Sequence, residues 1–349
     1  MRWPLPGQAE KERRGLVMNE STFTAESLRE LAYGFRKSRV LLTAYELDLF
    51  TYLGKEWKAA AEIARLIKAD PRATDRLMNA LVAMGILSKS EGRFANTTTS
   101  LRFLVRTSPD YMSGLMHTAH LWHTWSTLTE AVEKGTSAIV SRRLGGRGHG
   151  WLEAFIAAMH YRALQQAPAV AAAMNLDGVK TILDVGGGSG AFATAFVRAA
   201  KNVRATVFDL PDVIVLTRKY IGEEGLEGRV SVVSGDYLTD ELPMGYDLIF
   251  LSAIVHSNSP DENRVLMRKC AGALNSSGSV VVQDFVMSND RTEPATGAFF
   301  ALNMLVGTKA GDTFTESEIR SWMEEAGLVD VIKKDMLGGT AQIIGRKRT

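Results

Sequence analysis

Apolar positions along this chain follow two rhythms. Between Leu41 and Met84 they recur at helical spacing, in LLTAYELDLFTYL, AAAEIARLI and the segment from Pro71 to Met84. GILSKSEGRFANT then alternates and predicts a short hairpin turning at Glu91 and Gly92. A middle stretch rich in large side chains follows, LMHTAHLWHTW, and then WLEAFIAAMHYRALQQAPAVAAAM, which reads as long helical structure with Pro168 marking a boundary or a new helix start. The glycines of RRLGGRGHG between them predict a mobile loop. From Thr181 onward the rhythm changes: short apolar runs (TILDV, ATVFDL, RVSVVSGDY, YDLIFLS, SVVVQDF) alternate with helical stretches. Strands alternating with helices predict an α/β domain with a largely parallel sheet, and the helices plus wing before it describe a winged-helix-like unit.

The densest chemistry sits where the first of those strands ends, in LDVGGGSG. Gly186, Gly187, Gly188 and Gly190 let the backbone turn sharply and approach a ligand, and the following helix aims free N–H groups at it. Gly186, Gly188 and Ala191 satisfy the dinucleotide fingerprint as well, and Asp209 stands where a carboxylate accepts from ribose hydroxyls. These residues fit NAD and S-adenosylmethionine alike.

The segments downstream separate the two. LDVGGGSG, FDLP (Phe208 to Pro211), SGDY (Ser234 to Tyr237), a fourth strand running into His256, and GSVVVQDF (Gly278 to Phe285) occur in one register. In that order the chain resembles the S-adenosylmethionine-dependent O-methyltransferases that act on small molecules, such as the plant caffeate enzymes and bacterial polyketide tailoring enzymes. The resemblance implies a Rossmann-like, seven-stranded methyltransferase domain ending in a reversed hairpin, preceded by a mainly helical, winged-helix-like dimerisation domain. It divides the chain into a flexible extension (1–17), the dimerisation domain (18–112), acceptor-site helices (113–165) and the cofactor-binding domain (166–349). It implies a homodimer that uses S-adenosyl-L-methionine, releases S-adenosyl-L-homocysteine, and takes a small aromatic or polyketide-like acceptor.

Site roles carry over residue by residue. Asp184 and Gly186, Gly187, Gly188 and Gly190 would lie at the methionine end of the cofactor. Asp209 would bind ribose, and Leu210, Asp236 and Tyr237 would meet the adenine, although a strand-ending Asp236 can also simply cap a turn. His256 stands at the position of the catalytic base, and a neutral imidazole can accept a phenolic proton. Asp284, one methylene shorter than the plant glutamate, would orient it. Met159 stands where the family places a methionine near the acceptor, with His160 adjacent to it, and either can equally be an ordinary core residue. The helix GAFFALNMLVGT would add Phe300, Asn303 and Met304 to the acceptor site, with Phe299 and Leu305 beside them, although some of these must instead be core because a helix has two sides to satisfy. Three departures stand out. Ser252 occupies the place of a cofactor lysine. Ser257 and Asn258 replace Asp-Trp after the histidine. Thr313, with Asp312 beside it, stands where a second carboxylate is usual.

Composition narrows the alternatives. Against 41 basic side chains stand 39 acidic ones, a net charge of +2, which gives no electrostatic case for nucleic acid or a membrane surface. The helix that a winged-helix DNA-binding regulator would place in a groove offers mainly Arg72 and Arg76. His117, His120 and His123 fall at i, i+3 and i+6, which sets the outer pair on opposing sides of a helix, so no metal is expected. The single Cys270 reads as a core residue. No apolar run reaches the roughly 20 residues of a membrane span, and the N-terminus lacks a secretory apolar core, so a cytoplasmic protein is expected. Met18 is a possible alternative start. The same scaffold could also methylate carbon or nitrogen, or bind the cofactor without transfer, and His256 would then matter less.

Overall fold

The computed structural model describes residues 23–139, 149–336 and 339–348. Contacts divide the chain into two units, Met1–Leu101 and Arg102–Thr349. The predicted N-terminal extension, Met18 and most of the glycine-rich run at 142–150 lie outside the described residues.

The first unit is built from α1 (Ala25–Tyr33), α2 (Phe35–Glu46), α3 (Leu49–Leu53), β1 (Lys58–Ala59), α4 (Ala60–Leu66), α5 (Pro71–Ala83), β2 (Leu87–Ser90) and β3 (Arg93–Asn96). Asp70 starts α5: its side chain accepts from Ala73 N–H at 2.8 Å, with Pro71 in the first turn. Glu91 and Gly92 both have positive φ, 47° and 76°, as the two-residue hairpin between β2 and β3 requires. Strand β1 adds on the other side of β3. Leu49, Phe50, Ile63, Met78, Leu81 and Phe94 form the buried centre. The helices with a wing read from the sequence are present.

α6 (Thr98–Phe103) leads toward the second unit, which continues with α7 (Leu115–Trp125), α8 (Leu128–Lys134) and α9 (His149–Ala173). α9 runs straight through Pro168, where a boundary was expected. Pro168 sits on the solvent side, while Ala167, Val170 and Ala171 are buried in the core. The carbonyl left without its helical donor belongs to Leu164, which is exposed.

The remaining elements alternate: β4 (Thr181–Val185), α10 (Ala191–Ala199), β5 (Arg204–Asp209), α11 (Pro211–Glu223), β6 (Val230–Ser234), β7 (Tyr246–Ser252), a 3-10 turn (Val255–Ser257), α12 (Pro260–Ala273), β8 (Leu274–Asp284), β9 (Val286–Met287), α13 (Ala295–Gly307), β10 (Phe314–Thr315), α14 (Glu316–Glu325), β11 (Leu328–Asp335) and β12 (Ala341–Lys347). They form a seven-stranded sheet in the order β11-β12-β8-β7-β4-β5-β6. β8, β7, β4, β5 and β6 are parallel, and β12 runs antiparallel to both its neighbours, giving the expected reversed hairpin. One face buries Ile249, Val280, Val282, Leu266 and Trp322; the other buries Ile182, Val207, Phe250, Val281 and Phe196. Such near-continuous apolar strands are what a sheet covered on both faces demands. Strand order reverses between β4 and β7, and it is outside the carboxyl ends of the strands at such a point that open α/β sheets bind their ligands.

Candidate active site

The turn after β4 is a cradle that only a chain without side chains can form. Gly186, Gly188 and Gly190 have φ of 66°, 58° and 78°. A Cβ on Gly186 would lie 2.2 Å from Ile254 Cδ1, and one on Gly187 would lie 2.6 Å from Asp184 Cγ. The turn is pinned from several sides. Gly186 N–H donates to Phe208 O at 2.7 Å, Gly188 N–H to Asp209 Oδ2 at 2.8 Å, and Thr217 Oγ1–H to Gly188 O at 2.6 Å.

Two carboxyl groups flank this turn, Asp184 buried and Asp209 partly buried. Burial, and then the charge of Asp209, raise the Asp184 carboxyl from 3.8 to about 7, against a bond from Ala193 N–H in the first turn of α10. Among the described residues the buried Asp184 Oδ2 has no hydrogen-bond partner. Burial also raises Asp209 to about 6, opposed by the N–H groups of Gly188 and Leu210. An unsatisfied buried carboxylate oxygen, a second carboxylate beside it and a Cβ-free turn fit a ligand that brings hydroxyl or ammonium donors. A nucleoside carrying an amino acid is such a ligand.

Tyr237 reaches the same turn, its ring 3.9 Å from where a Gly186 Cβ would be. β6 stops at Ser234, earlier than the sequence predicted, and Asp236 folds into the following turn, its Oδ1 accepting from Leu238 N–H at 3.0 Å. Leu210 N–H donates to Asp209 Oδ1 at 2.7 Å, and its side chain packs at Val213, Ile156 and Leu152. Ser252 ends β7 with its hydroxyl 3.4 Å from Gln283 Nε2.

His256 lies on the 3-10 turn beyond β7, 8% exposed. Its Nδ1 is 2.8 and 2.9 Å from the two oxygens of Asp284, itself only 4% exposed. Asp284 Oδ1 also accepts from Phe285 N–H at 2.9 Å. A carboxylate on Nδ1 fixes the tautomer with hydrogen there and leaves the Nε2 lone pair as the proton acceptor. Asp312 is directed elsewhere: it meets Arg291 and accepts from Thr313 N–H at 2.7 Å, while Arg291 donates to Thr313 O at 2.6 Å. Asp284, expected to orient the ring, is in contact with it, and where the second carboxylate is usual Thr313 and Asp312 are held by Arg291.

Phe300 stands edge-on to His256, with ring centroids 4.7 Å apart, and packs on Phe285 at 5.0 Å. Asn303, one turn along α13, accepts from Trp125 Nε1–H at 2.9 Å, and Met304 is buried. Phe299 is 67% exposed and belongs to the outer face of α13. Met159 is half-buried on α9, between Ile156, which lies 3.9 Å from a Gly188 Cβ position, and Arg162, whose guanidinium sits 5.3 Å above Phe285. His160 stands beside the glycine turn rather than beside His256. Its Nδ1 is 2.9 Å from Ser189 Oγ, it stacks on Tyr220 at 4.1 Å, and burial lowers its pKa against the pull of Glu224 and Glu223.

Sequence reasoning missed Ile254, Phe285 and Arg162. Phe285 was visible as the residue next to Asp284; Arg162 could have been found on the Ile156 and Met159 face of its helix. His117 joins an aromatic group with Trp151 and Phe155, at 6.2 and 5.2 Å. Cys270 is fully buried, as expected of a core residue.

A seven-stranded, mostly parallel sheet with a reversed terminal hairpin and a glycine cradle at its switch point defines the class I methyltransferase fold. The chain belongs to the O-methyltransferase family: residues 125–329 match its O-methyltransferase domain and residues 29–106 its dimerisation domain. A 3-hydroxy-5-methyl-1-naphthoate 3-O-methyltransferase of Streptomyces sahachiroi is 32% identical over 87% of this chain and 89% of its own length. The N,N-dimethyltransferase OxyT of Streptomyces rimosus is 30% identical over 87% of this chain and 90% of its own. Among solved structures, human N-acetylserotonin methyltransferase in complex with S-adenosylmethionine superposes with a TM-score of 0.80 at 25% identity, covering 95% of this chain and 100% of that one. Among the described residues no helix is long and apolar enough to cross a membrane.

Proposed function

We propose that this enzyme methylates a hydroxyl on a small aromatic or polyketide-like acceptor, with His256 taking the hydroxyl proton. The observation that carries this reading is the buried His256–Asp284 pair, set edge-on to Phe300 at the sheet edge that holds the glycine cradle.

Bound S-adenosylmethionine supplies an already activated methyl on its sulfonium. The protein's part is alignment, exclusion of water and proton removal. Asp209 would accept from the ribose hydroxyls, Leu210, Asp236 and Tyr237 would flank the adenine, and Asp184, Ser252 and the cradle would meet the amino-acid end. Ile254 closes over Gly186 from the His256 side. The acceptor hydroxyl would lie at His256 Nε2, its ring against Phe300 and Met159, with Asn303 and Met304 behind. As the proton moves to Nε2, Asp284 stabilises the imidazolium that forms. The dimerisation domain supports self-association, and we read the working unit as a homodimer.

A second reading is methyl transfer to nitrogen, which the similarity to an N,N-dimethyltransferase favours. The two differ in what the labelled methyl is bonded to. Incubation with methyl-13C S-adenosylmethionine and a panel of hydroxynaphthoates, phenols and aryl and alkyl amines, followed by NMR of the products, tests them. O-methylated products are expected, and products carrying the label only on nitrogen would overturn the proposal.

A further inference from the structure

The turn that carries His256 rests on two asparagines with no part in the chemistry above. Asn258 and Asn263 are 2% and 0% exposed. Asn263 Nδ2 donates to Val255 O at 2.9 Å, and Asn258 Nδ2 donates to Asn263 Oδ1 at 3.0 Å. The line continues to Tyr237, whose hydroxyl donates to Asn258 Oδ1 at 3.1 Å. Uncharged bonds therefore run without a break from the Tyr237 ring at the glycine cradle to the carbonyl of the residue before His256. Each amide oxygen accepts and each amide nitrogen donates, so the chain of bonds has one consistent sense.

The next carbonyl is held by a different segment of the chain. Asp312 N–H donates to His256 O at 3.0 Å, and Gly311 passes so close that a Cβ there would lie 2.4 Å from that oxygen. The turn is thus gripped at two successive carbonyls. One grip is a fixed backbone contact, and the other ends on a ring at the cofactor cradle. Buried polar chains of this kind have few alternative arrangements, because a half-satisfied one leaves unpaired groups out of reach of water.

We propose that Asn258 and Asn263 are positioning residues that make the setting of His256 depend on what lies against Tyr237, so that filling the cofactor cradle adjusts the base. The proposal rests on reading Tyr237 as a cofactor-site residue and His256 as the base. It gives a role to Asn258, which stands where the resembling enzymes have tryptophan.

The test follows the imidazole itself. In 15N-histidine protein, the His256 ring resonances, assigned by their loss in His256→Ala, are recorded with and without saturating S-adenosylhomocysteine. They are compared in the wild type, Tyr237→Phe, Asn258→Leu and the double variant, with calorimetry confirming that the ligand is bound. The proposal expects a ligand-induced shift in the wild type that falls by more than half in each single variant. It expects the double variant to behave as Asn258→Leu alone. Should Asn258→Leu fail to fold, Asn258→Ser removes the same bonds with less strain and carries the same expectation. A wild-type shift that persists in the folded, ligand-bound variants, or no wild-type shift on binding, would overturn the inference while leaving the base to be judged by His256→Ala turnover. Failure of the wild type to bind S-adenosylhomocysteine would overturn the inference and the cofactor reading together.

Discussion

Asp284→Asn replaces one oxygen of the carboxylate on His256 with an amide nitrogen while keeping its volume in a site only 4% exposed. Two losses follow. The carboxylate now accepts from Nδ1 with both oxygens, at 2.8 and 2.9 Å; an amide can instead donate to Nδ1, which favours the tautomer with hydrogen on Nε2 and blocks that atom as a base. The charge that steadies the imidazolium also disappears. At about 4 Å between charge centres and an effective dielectric of about 20, that attraction is about 4 kcal/mol, or roughly 10³ in rate if fully expressed in the transition state. With proton transfer only partly advanced, kcat should fall by about 10² to 10³. S-adenosylhomocysteine should bind within about threefold of the wild type, because Asp284 lies on the acceptor side, and Asp284→Glu should recover part of the rate. An internal control is available in the acceptor: a hydroxyl already ionised at the assay pH needs no base, so its rate should change far less. Steady-state kinetics on a weakly and a strongly acidic naphthol, with calorimetric cofactor affinity, provide the assay. A folded Asp284→Asn within fivefold of wild-type kcat on the weakly acidic acceptor, or an equal loss on both, would refute the reasoning.

Three further outcomes are expected. Asp184 and Asp209 hold their protons in the folded chain to about 7 and about 6, above the unfolded value, so their stabilising contribution is complete below about pH 4 and is lost as pH rises through those values. The ligand-free Tm should therefore fall between about pH 4 and 7, and Asp184→Asn should flatten that slope; a Tm rising over this range in the wild type but not in the variant would contradict it. Ribose hydroxyls donate best to an ionised Asp209, so S-adenosylhomocysteine should bind about tenfold more tightly at pH 7.5 than at pH 5, with proton release visible as a dependence of the calorimetric heat on buffer; a flat affinity across that range counts against Asp209 as the ribose residue. Gly311→Ala places a Cβ 2.4 Å from His256 O and 2.7 Å from Thr308 Oγ1, and the backbone oxygen cannot yield without moving the turn. It should cost about tenfold or more in kcat with cofactor affinity little changed, since small misplacements of a catalytic group are costly, and unchanged kcat would show that the turn absorbs the clash.

How far the sequence carried depends on range. The β4 cradle and the place of Asp209 at the end of the next strand were legible because each depends on local pattern, a strand, a glycine turn and a helix in succession, whereas the reversed hairpin was expected only through the resemblance. The hairpin at Glu91 and Gly92 was legible from local pattern too. The contact of Asp284 with His256 spans adjacent strands, and it could be anticipated only through the resemblance, which also left Asp312 and Thr313 as an open question. In the structure Arg291, from the turn after β9, engages both residues. Pro168 misled because propensity speaks for an isolated helix, whereas burial of Ala167, Val170 and Ala171 holds α9 together across it. His160 was grouped with the acceptor on proximity in sequence to Met159, but one helical step rotates it toward Ser189 and Tyr220. The Asn258–Asn263 pair had no sequence signature, since five residues across a turn and a helix cap do not fix where two amides meet.

The measurement that bears most directly on the central claim is turnover by His256→Ala on a weakly acidic aromatic hydroxyl, with S-adenosylmethionine affinity measured on the same preparation. If His256 Nε2 removes the acceptor proton, kcat should fall by roughly 10²-fold or more while cofactor affinity stays within about threefold. A folded His256→Ala that binds cofactor normally and produces the same O-methylated product at the wild-type rate would contradict the account.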